Sequence, residues 1–137
     1  MSAPRTRAQT LIRMRQIAAR QAKAQLLGAA VARARLDAQA ARLAAALGSL
    51  ADPRGAASGQ QLARTQGMAG RLTEACSALT SARDQAAIHE RARAADLARR
   101  EAHHDAAVAR ADAATRTAEM IKDRRAAAAP RMGRGTI

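Results

Sequence analysis

The chain has 137 residues, 42 of them Ala and 22 Arg, with no Phe, Trp or Tyr and a net charge of +13. Aromatic side chains bury the largest areas in ordinary cores, and 23 Leu, Ile, Val and Met residues are too few to fill a bulky one. Most globular folds are thereby excluded. Two options remain: a long helical assembly, signalled by the 81 Ala, Glu, Lys, Leu and Arg residues, and a disordered chain. Periodicity decides between them.

In chain order, Thr6-Arg7-Ala8-Gln9 fits a capping box that opens a first helix over about 6–48. Leu11, Met14, Ala18, Ala22, Leu26, Ala29, Ala32, Leu36, Ala40, Leu43, Leu47 and Leu50 then recur every three or four residues. Their mean spacing of about 3.5 is that of a seam facing a partner helix. The run from Leu36 to Leu50 is its cleanest part, and truncating Leu43 to Ala there is expected to cost ~2–4 kcal/mol.

Gly48 offers a left-handed cap, and Asp52-Pro53 cannot continue a helix. The turn region is read at about 49–58, extending to 70 if Gly67 and Gly70 weaken the start of the second helix. Ser58-Gly59-Gln60-Gln61 is a second capping box, and the second helix runs over about 59–129. Its seam is read through Leu72, Ala75, Leu79, Ala82, Ala86, Leu97 and Val108. The eleven-residue steps Ala75, Ala86, Leu97, Val108 suggest a departure from strict heptads. Residues 130–137 form a flexible tail.

The fold class is therefore all-α, an elongated antiparallel two-helix coiled-coil hairpin forming a single domain over 1–137. The helices are expected to be roughly 65 Å and 85–100 Å long, so the second overhangs the first by about four to seven turns.

Charge is uneven. Residues 1–50 hold nine Lys or Arg against Asp37 alone, and residues 51–137 hold fifteen against ten acids. A basic first half suits an acidic partner (nucleic acid, an anionic membrane or an acidic protein surface) or is simply a solvated helix face. Cys76 is alone, which suits a reduced, cytoplasmic setting. The first twenty residues carry too much Arg for a secretory signal, and no stretch approaches the ~20 apolar residues that span a bilayer. A soluble or peripheral protein is expected.

The residues of catalysis are missing. The only lysines, Lys23 and Lys122, have no flanking glycines, so no phosphate-binding loop exists. His89, His103 and His104 lack metal-ligand spacing, and Cys76 has no His within a turn to activate it. No enzyme activity, cofactor, metal or small-molecule substrate is expected.

QTLIRMRQIAARQAKAQL at residues 9–26 and RTAEMIKDRRAAAA at residues 116–129 resemble the opening and close of the FliJ family of flagellar export proteins. That family, with the YscO-like proteins of injectisomes, comprises coiled-coil hairpins similar to the central stalk of rotary ATPases. The resemblance implies a non-catalytic stalk that docks into a hexameric export ATPase, contacts an export-gate protein of the FlhA type and handles export chaperones. Membrane association would then be peripheral, at the inner membrane, through those partners. Members often carry aromatics near the start of the second helix, where this chain has Leu62, Met68 and Leu72, so no gate-contact residues are carried over.

Basic and apolar residues cluster toward the two chain ends. The expected partner-binding set is Arg13, Arg15, Ile17, Met120, Ile121, Lys122, Arg124 and Arg125. The alternative reading is a basic helical nucleic-acid-binding protein, supported by the charge. Against it stand the lack of aromatics to stack on bases and of any helix-turn-helix spacing. A membrane-surface helix over 5–27 is a third reading, and it lacks Trp or Phe anchors.

Overall fold

The computed structural model describes residues 3–50 and 59–130. Nearly all of them lie in two helices, α1 (Ala3–Leu50) and α2 (Gly59–Ala128), which pack against each other with no strand among the described residues. The chain divides into two compact units. A middle unit comprises Gln21–Ala98, and a terminal unit comprises Met1–Arg20 with Arg99–Ile137.

α1 is longer than its expected signals, and α2 spans the expected range to within a residue. α1 starts at Ala3, so Thr6 is not its cap. The Thr6 carbonyl instead accepts a 2.8 Å bond from Thr10 Oγ1 within the helix. Pro4 explains the early start, since proline is preorganised for a first turn that needs no N–H. Gly48 is helical without a left-handed backbone, and α2 runs through Gly67 and Gly70. A glycine costs a helix interior only about 1 kcal/mol, which neighbouring Ala and Leu outweigh. The rest of the expected turn, residues 51–58 with Asp52, Pro53 and Ser58, lies outside the described residues. So does the tail from 131 onward.

In the middle unit the seam of α1 runs through Ala22, Leu26, Ala29, Arg33, Leu36, Ala40, Leu43, Leu47 and Leu50, in strictly alternating steps of four and three. On α2 the same alternation gives Thr65, Ala69, Leu72, Cys76, Leu79, Arg83, Ala86, Glu90, Arg93 and Leu97. Three expected positions fall elsewhere, one of them Ala82, which is half-buried and yields its place to Arg83. Ala32 yields its place to Arg33, Ala75 yields to Cys76, and both alanines are exposed. The eleven-residue departure does not occur, because Arg83, Glu90 and Arg93 fill the heptad places that an apolar-only reading skips.

Those polar places are satisfied across the seam. Arg33 Nη1 donates to Glu90 Oε2 at 3.0 Å, Arg83 Nε to Asp37 Oδ1 at 2.8 Å, and Arg93 Nη1 to Gln25 Oε1 at 2.8 Å. As the α1 numbers rise the α2 numbers fall, so the helices are antiparallel. Glu90 raises the Arg33 pKa above its ordinary value, first through the hydrogen bond and then through its charge.

Ala22 and Ala29 are the buried core here, 2% and 7% exposed. Alanine allows close backbone approach. The leucines beside it stay half-buried, because two helices leave solvent on both sides of their seam. The expected cost of Leu43→Ala falls accordingly, to about 1–2 kcal/mol for the buried half of its CH₂ groups.

Candidate docking end

The terminal unit continues the four-three spacing with different side chains. On α1 it reads Ala8, Ile12, Arg15 and Ala19; on α2 it reads Arg100, His104, Ala107 and Ala111. Ala107 is its one buried residue among those described, at 9% exposure. Arg15 occupies a seam place, and its Nη1 lies 3.4 Å from His103 Nδ1. The guanidinium can only donate, so the pair requires that ring nitrogen to be the acceptor.

Leu11 and Met14, read from sequence as seam residues, are 43% and 63% exposed. Ile12 and Arg15 hold the inward places instead. With Ile17, 52% exposed, Leu11 and Met14 make an outward apolar stripe at three-residue steps. A shallow concavity of about 340 Å³ lies beside it, lined by Thr6, Arg7, Thr10, Leu11 and Met14. Leu11 and Met14 therefore join Ile17 as contact candidates. The sequence signal for their outward position is the unbroken four-three register, which admits arginine to the seam.

Every residue of the expected partner-binding set is exposed: Arg13, Arg15 and Ile17 on α1, and Met120, Ile121, Lys122, Arg124 and Arg125 on α2. They do not form one patch. Arg15 is level with His103, and Ile121 lies about 27 Å farther along α2 at ~1.5 Å per residue. Beyond Ala111 every residue of α2 is exposed, through residues 112–128. That stretch amounts to nearly five turns at ~3.6 residues each. Met120 and Ile121 sit on it, 55% and 46% exposed, among Lys122, Arg124 and Arg125.

The middle unit has a separate feature. An open, apolar groove of about 590 Å³ lies beside Leu43 and Leu79, lined also by Gln39, Arg42, Ala75, Ala78 and Ala82. It exists because small alanines flank the leucine pair.

Among the described residues no group of three His, Cys, Asp or Glu side chains could share a metal ion. Cys76 is a half-buried seam residue, and His104 Nδ1 is 3.4 Å from its neighbour Asp105 Oδ1. No described helix is long and apolar enough to cross a membrane. Comparisons with protein-family models, with curated proteins and with solved structures gave no match.

Proposed function

We propose that this protein is a non-catalytic stalk of a flagellar or related type III export apparatus. In this reading it docks into a hexameric export ATPase in the cytoplasm and couples it to the export gate. The observation that carries the proposal is the α2 extension beyond Ala111. An apolar pair, Met120 and Ile121, stands uncovered among cations on a helix that has left its partner. Exposed apolar residues rimmed by charge mark interaction surfaces, and a ring lumen lined by acidic groups would complement this one. The resemblance at both ends of the chain adds the apparatus.

A coupler needs a second contact. The groove beside Leu43 and Leu79 is the apolar concavity suited to it, and we assign the gate protein there, with export chaperones as further partners of the same apparatus. The test is co-purification with a candidate export ATPase and measurement of ATPase stimulation. Arg124→Glu with Arg125→Glu should slow association and flatten its salt dependence, while Met120→Ala with Ile121→Ala should speed dissociation. Ala78→Glu should abolish gate capture and leave ATPase capture intact. If both end variants stimulate like the parent while Ala78→Glu abolishes stimulation, the ATPase docks at the groove and the assignment of the two ends is reversed.

The second reading, nucleic-acid binding, draws on one observation. The only acid in α1 is Asp37, and Arg83 engages it. Affinity for duplex DNA falling with a steep log–log slope in salt, together with no capture of the ATPase, would favour that reading.

A further inference from the structure

The α2 stretch left bare beyond Ala111 is not a featureless cationic helix. The seam spacing that brings Arg100, His104, Ala107 and Ala111 into register continues without a break through Ala114, Ala118, Ile121, Arg125 and Ala128. His104, Ala107 and Ala111 on this line are at least half covered; after Ala111 the same line is exposed. A helix seam that keeps its period after losing its partner is still shaped for one.

Charge around that line is sorted. On a helix of this period Lys122 and Arg124 flank the seam, each about 80° from its centre, and Arg125 stands in it. The acids of the stretch, Asp112, Glu119 and Asp123, all lie more than about 120° from the centre, as does Met120. The bare seam therefore presents alanines, one isoleucine and Arg125, flanked by Thr115, Thr117, Lys122 and Arg124 and by no acid.

We infer that this seam is completed by a helix from another protein, lying antiparallel to α2 in line with α1, with small or leucine residues at heptad spacing and carboxylates on its flanks. A second copy of this chain does not suit, because its equivalent seam has no acid on its flanks to set against Lys122, Arg124 and Arg125. Residues 131–137, RMGRGTI, offer neither acidic side chains nor a heptad. The inference deepens the docking reading above and changes one of its details. Ile121 is the anchor, and Met120 faces away.

A synthetic probe tests this on the full chain: a fluorescent helical peptide of about three heptads, with leucine at the seam places and glutamate on the flanks. Binding should saturate and slow amide exchange within residues 112–128. Ala118→Glu sits in the seam on an exposed helix face and should leave circular dichroism unchanged while weakening the probe at least tenfold. Met120→Ala should stay within twofold of the parent. The same peptide with lysine flanks should not bind. Equal binding by Ala118→Glu and the parent, protection elsewhere than 112–128, or no saturation at millimolar peptide would each overturn the inference. An Ala118→Glu chain that still captured the ATPase would do so too, leaving the docking reading intact. Probe binding without any ATPase capture would sink the docking reading alone.

Discussion

The two units differ in how many large aliphatic side chains they turn inward, although the middle unit also leaves Leu27, Val31, Leu62, Met68 and Ile88 exposed. In the middle unit Leu26, Leu36, Leu43, Leu47, Leu72, Leu79 and Leu97 turn inward and are half-buried. In the terminal unit only Ile12 and Val108 do so, and Leu11, Met14, Ile17, Met120 and Ile121 stand exposed. Cross-helix bonding differs as well. In the middle unit Arg33–Glu90, Arg83–Asp37 and Arg93–Gln25 are close at 2.8–3.0 Å, whereas the Arg15–His103 contact of the terminal unit is 3.4 Å. Hydrophobic surface that stabilises one unit internally is, in the other, available to something else. A helical pair with so little apolar volume cannot do both with the same residues.

The contrast can be broken by melting experiments. Leu43→Ala and Leu79→Ala should each lower stability by about 1–2 kcal/mol, whereas Leu11→Ala and Met14→Ala, on an exposed face, should stay within about 0.5 kcal/mol. Equal losses in the two sets, read from thermal or urea unfolding followed by circular dichroism, would erase the distinction. A smaller effect of opposite sign is expected at Gly28 and Gly70. Each lies within a helix with open space where a Cβ would sit, so substitution by Ala should stabilise by about 0.5–1 kcal/mol. If Gly28→Ala destabilises instead, α1 is not a continuous helix there.

The smallest effect belongs to the ion pairs. Asp37 and Arg83 are each close to half exposed in their side chains. A double-mutant cycle between them should give under about 0.5 kcal/mol, shrinking further at 1 M salt. A coupling of several kcal/mol would mean that electrostatics, rather than the leucine layers, holds the middle unit together.

Two helices and the seam places of Leu36, Leu43 and Leu47 were legible in the sequence, because leucine at heptad spacing in an alanine background is unambiguous. The finer register was not. In a chain nearly one-third alanine, almost any line along a helix looks apolar, so Ala32 and Ala75 passed for seam residues. The true line was hidden by Arg33, Arg83, Glu90 and Arg93, whose long stems can lie along a seam while their heads find partners. The same misreading turned Leu11 and Met14 inward and obscured the outward stripe they make with Ile17. The candidate docking residues all stand at exposed positions. Their separation along α2 became visible only once Arg15 was level with His103.

The alanine core of the middle unit has a mechanical consequence. Ala22 and Ala29 are one heptad apart, so sliding α1 by seven residues sets one where the other was. Methyl groups offer almost no resistance to such a slip, unlike interlocked leucines. The bonds of Arg33 to Glu90, Arg83 to Asp37 and Arg93 to Gln25 would all be lost in the same step. They act as detents on a smooth track, weak as adhesives and decisive about alignment, as polar residues in coiled coils can be. Replacing all three pairs by alanine should leave helicity nearly unchanged while cysteine cross-linking reveals several alignments in place of one.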